Sequence, residues 1–158
     1  MRLKDLTARV SLPWLILAIA MVAVIWGNSL VPGTGSSGIS LTVMEAAHDV
    51  LRALGLPCEW LTNFIVRKTA HFTEYAMFGI LVSQALDPQH VIDVRALGLT
   101  ALICVLVPSI DETIQLFVSG RSGQVTDVLL DCCGAATGIL LRSLIVRLSN
   151  GDGSGLHQ

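Results

Sequence analysis

The sequence predicts an all-α, polytopic membrane protein: a four-transmembrane-helix bundle with a short amphipathic surface helix between helices 1 and 2. Of its 158 residues, 53% are hydrophobic and only 14% are charged, whereas a soluble domain carries roughly 25% charged residues. The mean hydropathy is +0.69, and several weakly charged runs are long enough to cross a bilayer. The formal net charge of -2 gives no basic surface of the kind that binds nucleic acid.

The predicted spans follow one another with short connections. We place them at about residues 12–30, 67–86, 96–117 and 125–148 of a single membrane domain, residues 1–148. The first span is uncharged and has Pro13 in its first turn, where proline is tolerated.

Four further segments complete the predicted domain organisation. Residues 31–40 are rich in Gly, Ser and Pro, which favours a loop. Residues 41–54 carry apolar side chains at helical spacing with charges on the opposite side, which favours a surface helix. A second short surface segment, Cys58 to Phe64, leads into helix 2. The Gly-rich residues 149–158 are expected to form a flexible tail.

The distribution of lysine and arginine predicts the orientation of the chain in the membrane. Basic residues precede helix 1, and Arg142 and Arg147 close helix 4. Both termini are therefore expected in the cytoplasm. The start of helix 2, the end of helix 3 and the start of helix 4 then lie together at the extracytoplasmic face.

Ten polar side chains are expected at that face, and ionisable groups at a membrane rim are costly enough to indicate function. The candidate catalytic residues are His71, Glu74, Asp111 and Glu112. The candidate ligand-binding residues are Lys68, Tyr75, Gln115, Arg121, Asp127 and Asp131. A buried ion network that only fixes helix packing could also explain the set.

Helical geometry relates these residues to one another. Lys68, His71 and Tyr75 share one face of helix 2 because they are spaced three and four apart. The neighbouring carboxylates of Asp111 and Glu112 repel each other and need cations such as Arg121 or Lys68. Pro108 is expected to kink helix 3 one turn before them. On helix 4, Gly134 and Gly138 continue the stripe of Asp127 and Asp131 and allow another helix to approach closely, in the same chain or in a second copy.

These motifs, in this order and spacing, resemble the VanZ-like family of small bacterial membrane proteins. The matching residues are Lys68-xx-His71-Phe72-xx-Tyr75, Asp111-Glu112-xx-Gln115 and Gly120-Arg121-Ser122-xxxx-Asp127-Val128 followed by Gly134-xxx-Gly138. The resemblance covers roughly residues 67–141. It departs at Asp131, where members often carry asparagine. It implies a bacterial cytoplasmic membrane protein with a role in the cell envelope, in a family named after a member associated with resistance to the glycopeptide antibiotic teicoplanin.

Three functions remain open at the level of sequence. The first is binding or handling of an anionic, lipid-linked or amphiphilic envelope molecule, with Lys68, Arg121 and Arg67 as its contacts. The second is an intramembrane hydrolase or transferase that uses His71 with Asp111 or Glu112. The third is a structural or regulatory membrane subunit, and a homo-oligomer is compatible with each.

No cofactor is predicted from the sequence. The four cysteines, Cys58, Cys104, Cys132 and Cys133, show no zinc-binding spacing and are interpreted as small packing residues. A divalent metal ion held by carboxylates and His71 is a variant of the enzyme hypothesis only.

Overall fold

The computed structural model describes residues 10–89 and 94–152, which fold into helices without a strand among them. The helices are α1 (Leu12–Ser29), α2 (Gly33–Ala53), α3 (Asn63–Leu86), α4 (Val94–Gln115) and α5 (Val125–Asp152). Among the described residues, three helical segments are long and apolar enough to cross a membrane: α1, α4 and the part of α5 that ends at Ser149. The all-α class is thereby confirmed, and these three segments correspond to three of the four predicted spans.

Helix α3 lies at the centre of the fold and packs against each of the other four helices. Its buried residues Tyr75, Phe78 and Val82 form the core together with side chains from α1, α4 and α5. Tyr75 and Phe78 meet edge to face, with ring centroids 6.2 Å apart, a favourable geometry for aromatic pairs. Helix α3, the most polar of the predicted spans, is therefore the helix with the most extensive packing against the rest of the protein.

Helices α3 and α5 approach each other so closely that their backbones nearly touch. A Cβ atom added at Gly134 would lie 2.5 Å from the Phe72 carbonyl oxygen, and one at Gly138 would lie 1.9 Å from the Ala76 carbonyl oxygen. Small residues allow such contacts between membrane helices. Because α3 occupies this stripe, Gly134 and Gly138 are not available as a contact between two copies of the chain.

The expectation of a loop at residues 31–40 is wrong, because α2 begins at Gly33. Glycine weakens a helix on average, but tertiary contacts override this propensity. The Gly33 backbone N–H donates to the Ser119 carbonyl oxygen at 3.0 Å. A Cβ at Gly33 would lie 1.8 Å from the Gly120 carbonyl oxygen, so glycine allows the start of α2 to dock against the α4–α5 connection.

Other helix ends also differ from the predicted ones. Helix α3 begins at Asn63 rather than near residue 67, because the Thr62 side chain caps it by accepting from the Ile65 N–H at 3.3 Å. The expected surface segment at 58–64 therefore overlaps the first residues of α3. Helix α4 ends at Gln115, two residues early, and α5 continues to Asp152. The remainder of the predicted tail, residues 153–158, lies outside the described residues.

Candidate functional site

The start of α3, the end of α4 and the start of α5 meet at one end of the bundle. The Lys68 ammonium group forms an ion pair with Asp127, which joins α3 to α5. The Glu112 carboxylate accepts a 2.7 Å hydrogen bond from the Gln124 backbone N–H, which joins α4 to the residue that precedes α5. A carboxylate at the N-terminal end of a helix is favoured by the helix dipole. These contacts place the predicted site residues of three helices side by side.

Gln115 holds the two neighbouring carboxylates of α4. Its side-chain amide lies 3.3 Å from an Asp111 oxygen and 3.1 Å from a Glu112 oxygen. The same amide lies 3.3 Å from the Ser29 hydroxyl at the end of α1. A neutral donor therefore bridges the two carboxylates, and among the described residues neither forms a direct ion pair with Lys68 or Arg121.

Four buried ligand-type atoms of His71, Asp111 and Asp131 have no hydrogen-bonding partner among the described residues. Asp111 and Asp131 are both 0% exposed. One Asp111 oxygen, both Asp131 oxygens and His71 Nδ1 are buried without a hydrogen bond among the described residues. His71 Nδ1 lies 3.9 Å from Asp131 Oδ1, which is too long for a hydrogen bond.

These three side chains also converge. Ligand atoms of His71, Asp111 and Asp131 all lie within 4.8 Å of one another, so the trio could hold a metal ion. The buried Tyr75 hydroxyl lies beside Asp111 but has no partner at hydrogen-bonding geometry. Since buried polar groups are normally paired, this cluster of unpaired atoms is an unusual feature of the fold.

Arg121 contacts backbone rather than the acidic pair of α4. Its guanidinium donates to the Val31 carbonyl oxygen at 3.0 Å and to the Asn28 carbonyl oxygen. Cations are favoured at the C-terminal end of a helix, and here the residue fastens the end of α1 to the α4–α5 connection. Among the described residues Arg121 forms no direct ion pair with Asp111 or Glu112, although the charges of both carboxylates act to raise its pKa.

Two cavities flank His71. One is a cleft of about 230 Å³ between α1, α2 and α3, and its polar lining includes Arg67, His71, Glu74 and Arg121. The other is a polar cavity of about 300 Å³. Its lining residues are Asn63, Phe64, Arg67, Lys68, His71, Gln115, Ser122, Gln124 and Asp127. His71 and Arg67 line both, and Glu74 faces the cleft, where it accepts a 3.2 Å hydrogen bond from the Asn28 amide.

Some residues of this region were missed by sequence reasoning. Asn28 and Ser29 bond to Glu74 and Gln115 respectively, and two consecutive polar residues at the end of an apolar span were a usable signal. Gln124 contributes a backbone N–H, for which side-chain patterns give no signal.

Comparison with known proteins agrees with this arrangement of motifs. The family model described as VanZ/LLP1 matches residues 14–146, which is most of the chain. The chain belongs to the VanZ/LLP1 family. No curated protein matches it, and no solved structure matches it. Membership of the VanZ/LLP1 family, with three apolar helices, supports an envelope-associated membrane protein.

Proposed function

We propose that this VanZ-like protein binds an anionic amphiphile, such as a lipid-linked envelope molecule, at the outer leaflet of the bacterial cytoplasmic membrane. The observation that carries the proposal is the cleft between α1, α2 and α3. Two guanidinium groups, from Arg67 and Arg121, line it next to the apolar side chains Ile25, Ile39 and Val66. A site with cations beside apolar walls suits a ligand with an anionic head and a hydrocarbon chain.

Cationic groups outnumber carboxyl groups in the cleft, where two guanidinium groups lie with the single carboxyl group of Glu74. Arg67 makes no hydrogen bond or ion pair with any described residue, and Arg121 donates only to carbonyl oxygens. Burial lowers the pKa of Arg121, and the nearby Arg67 guanidinium lowers it further. Arginine nevertheless stays protonated in proteins. Two like charges within electrostatic reach are relieved by a phosphate or carboxylate, which arginine binds through two parallel hydrogen bonds.

The apolar part of such a ligand also has a place. A shallow groove of about 460 Å³ between α2 and α3 shares Val43, Val66, Ala70 and Glu74 with the cleft. Ligand pockets are typically about 300 to 1,000 Å³, so the cleft with its groove holds a head group and the first part of a chain. The rest of an acyl or prenyl chain would remain among the membrane lipids.

The proposal includes the topology derived from the sequence. Four spans, with α3 as the polar one, place both termini in the cytoplasm and the cleft at the extracytoplasmic face. Helix α2 lies there beside the membrane surface, and its exposed Leu41, Val43 and Val50 are suited to contact lipid. The resemblance implies an effect on susceptibility to teicoplanin. Such an effect would follow if the antibiotic comes into contact with the amphiphile that this protein binds.

Replacement of Arg67 tests the proposal. Purified protein is incubated with phosphatidylglycerol or a polyprenyl phosphate, and binding is measured by native mass spectrometry. Arg67→Gln should weaken binding roughly tenfold or more, because a lost charge-assisted hydrogen bond costs about 1.5–3 kcal/mol. Arg121 is a poorer probe, since its replacement also releases the end of α1.

The matched control is Arg52→Gln, since Arg52 is an exposed residue of α2 that pairs with Asp49 and lies outside the cleft. It should bind these lipids as the parent chain does. Equal affinity of the Arg67 and Arg52 variants for both lipids would show that these lipids do not bind in the cleft.

A further inference from the structure

We propose that His71, Asp111 and Asp131 form a binding site for a divalent transition-metal ion, Zn²⁺ or Mn²⁺. The proposal goes beyond lipid binding and departs from the sequence-based expectation of no cofactor. It starts from the convergence of three ligand atoms from α3, α4 and α5 within 4.8 Å of one another.

The first step of the argument is the absence of hydrogen bonds. Asp131 is 0% exposed and neither of its oxygens has a partner among the described residues, and one Asp111 oxygen is equally unpaired. An unpaired buried acceptor costs about 1–3 kcal/mol and a charged one costs more. Unpaired atoms on three side chains whose ligand atoms lie within 4.8 Å of one another indicate a common partner that they can share.

The second step concerns charge. Among the described residues, no ion pair joins Asp111 or Asp131 to a lysine or arginine. Lys68 is paired with Asp127, and Arg121 is bonded to the end of α1. Two buried carboxylates without a cation are unfavourable, and a single dication would balance both.

The third step concerns geometry and ligand type. Two atoms bound to one Zn²⁺ at 2.0–2.2 Å in a tetrahedral site are roughly 3.4 Å apart. Each of the three ligand atoms would therefore need to move by less than about 1 Å. Imidazole nitrogen suits zinc and other first-row transition metals, and carboxylate oxygen suits manganese. Three protein ligands leave a coordination position open, and His71 lines both cavities, so an ion could enter from either.

The metal content of the protein tests this site directly. The chain, purified in detergent without a histidine tag, is equilibrated with Zn²⁺ or Mn²⁺ and dialysed, and bound metal is measured by mass spectrometry. We expect about one ion per chain. The proposal would be overturned if the chain bound less than a tenth of an ion with Zn²⁺ and also less than a tenth of an ion with Mn²⁺.

Variants distinguish this site from surface binding. Asp131→Asn introduces the residue that the VanZ resemblance leads one to expect at this position, so the fold should tolerate it, and Asp111→Asn is a second isosteric change. Each should weaken metal binding about tenfold or more, since even outer partners of metal ligands contribute 10- to 100-fold.

Asp49→Asn is the control, because Asp49 is an exposed carboxylate of α2 that pairs with Arg52 and lies outside the site. It should retain the ion. Equal affinity in the Asp111, Asp131 and Asp49 variants would show that the metal binds elsewhere. The Arg67→Gln variant should lose lipid binding and retain metal binding. Failure of the lipid-binding proposal can therefore be distinguished from failure of the metal-binding proposal.

Discussion

Arg67 and Lys68 are neighbours in α3 but meet different surroundings. Successive residues of a helix point about 100° apart, so both residues line the polar cavity, but only Lys68 reaches Asp127 of α5 and only Arg67 also lines the cleft. Lys68 pairs with Asp127, and its ammonium lies 5.2 Å from the centre of the Phe64 ring, a distance at which a cation is attracted to an aromatic face. Arg67 has no such partner among the described residues. Lys68 is thus well placed to fasten helices, and Arg67 to bind a ligand.

The Lys68–Asp127 pair should contribute to stability as a unit. Their side chains are 26% and 16% exposed, between the exposed pairs that contribute about 0–1 kcal/mol and the buried pairs whose disruption costs about 3–5 kcal/mol. Asp127→Asn alone should destabilise the protein by about 1–3 kcal/mol, because it leaves a half-buried ammonium unpaired.

A double-mutant cycle with Lys68→Met measures this coupling. The double variant should recover part of the lost stability, which is measured by thermal unfolding in detergent. Strictly additive effects of the two changes would mean that the pair is not coupled.

At the scale of helices, Pro108 leaves a carbonyl group that another helix satisfies. Proline lacks the N–H that would bond the carbonyl four residues earlier, which is that of Cys104. The Cys132 thiol of α5 lies 3.6 Å from this oxygen and donates to it. All four cysteines are free thiols, and this one links α4 to α5 just beside Asp131.

The contact between α3 and α5 gives a prediction about helix packing. Gly138→Ala should lower the stability by about 1–3 kcal/mol or more, because the new methyl group would lie 1.9 Å from the Ala76 carbonyl oxygen and must push the helices apart. The measurement is the midpoint of thermal unfolding in detergent.

Gly98→Ala in α4 is the matched control, since nothing lies within 4 Å of a Cβ placed there. It should be neutral or stabilising, because alanine favours a helix over glycine by about 1 kcal/mol. A Gly138 variant as stable as the Gly98 variant would show that the helices are not held at this distance.

At the scale of the whole molecule, hydrophobic spacing predicted most of the helices, and the alternating direction of successive spans predicted that their polar ends meet. What spacing could not reveal was the partner of each charge. Arg121 could be placed near Asp111 from the sequence, but its bonds to Val31 and Asn28 depend on where α1 ends. The helical state of residues 33–40 was hidden for the same reason, since it depends on the docking of Gly33 against Gly120, far along the chain.

Whether α3 crosses the membrane decides the topology of the whole protein. Its 24 residues extend about 36 Å at 1.5 Å per residue, enough to span a hydrocarbon core of about 30 Å. Four spans require that its two ends lie on opposite sides. The exposed residues Glu59 and Gln89 flank the helix, so a cysteine can be introduced at either. In intact cells, a membrane-impermeant maleimide should label Glu59→Cys above the parent chain and label Gln89→Cys only after permeabilisation. If both are labelled from the same side, α3 does not cross, the chain has three spans, and its termini lie on opposite faces.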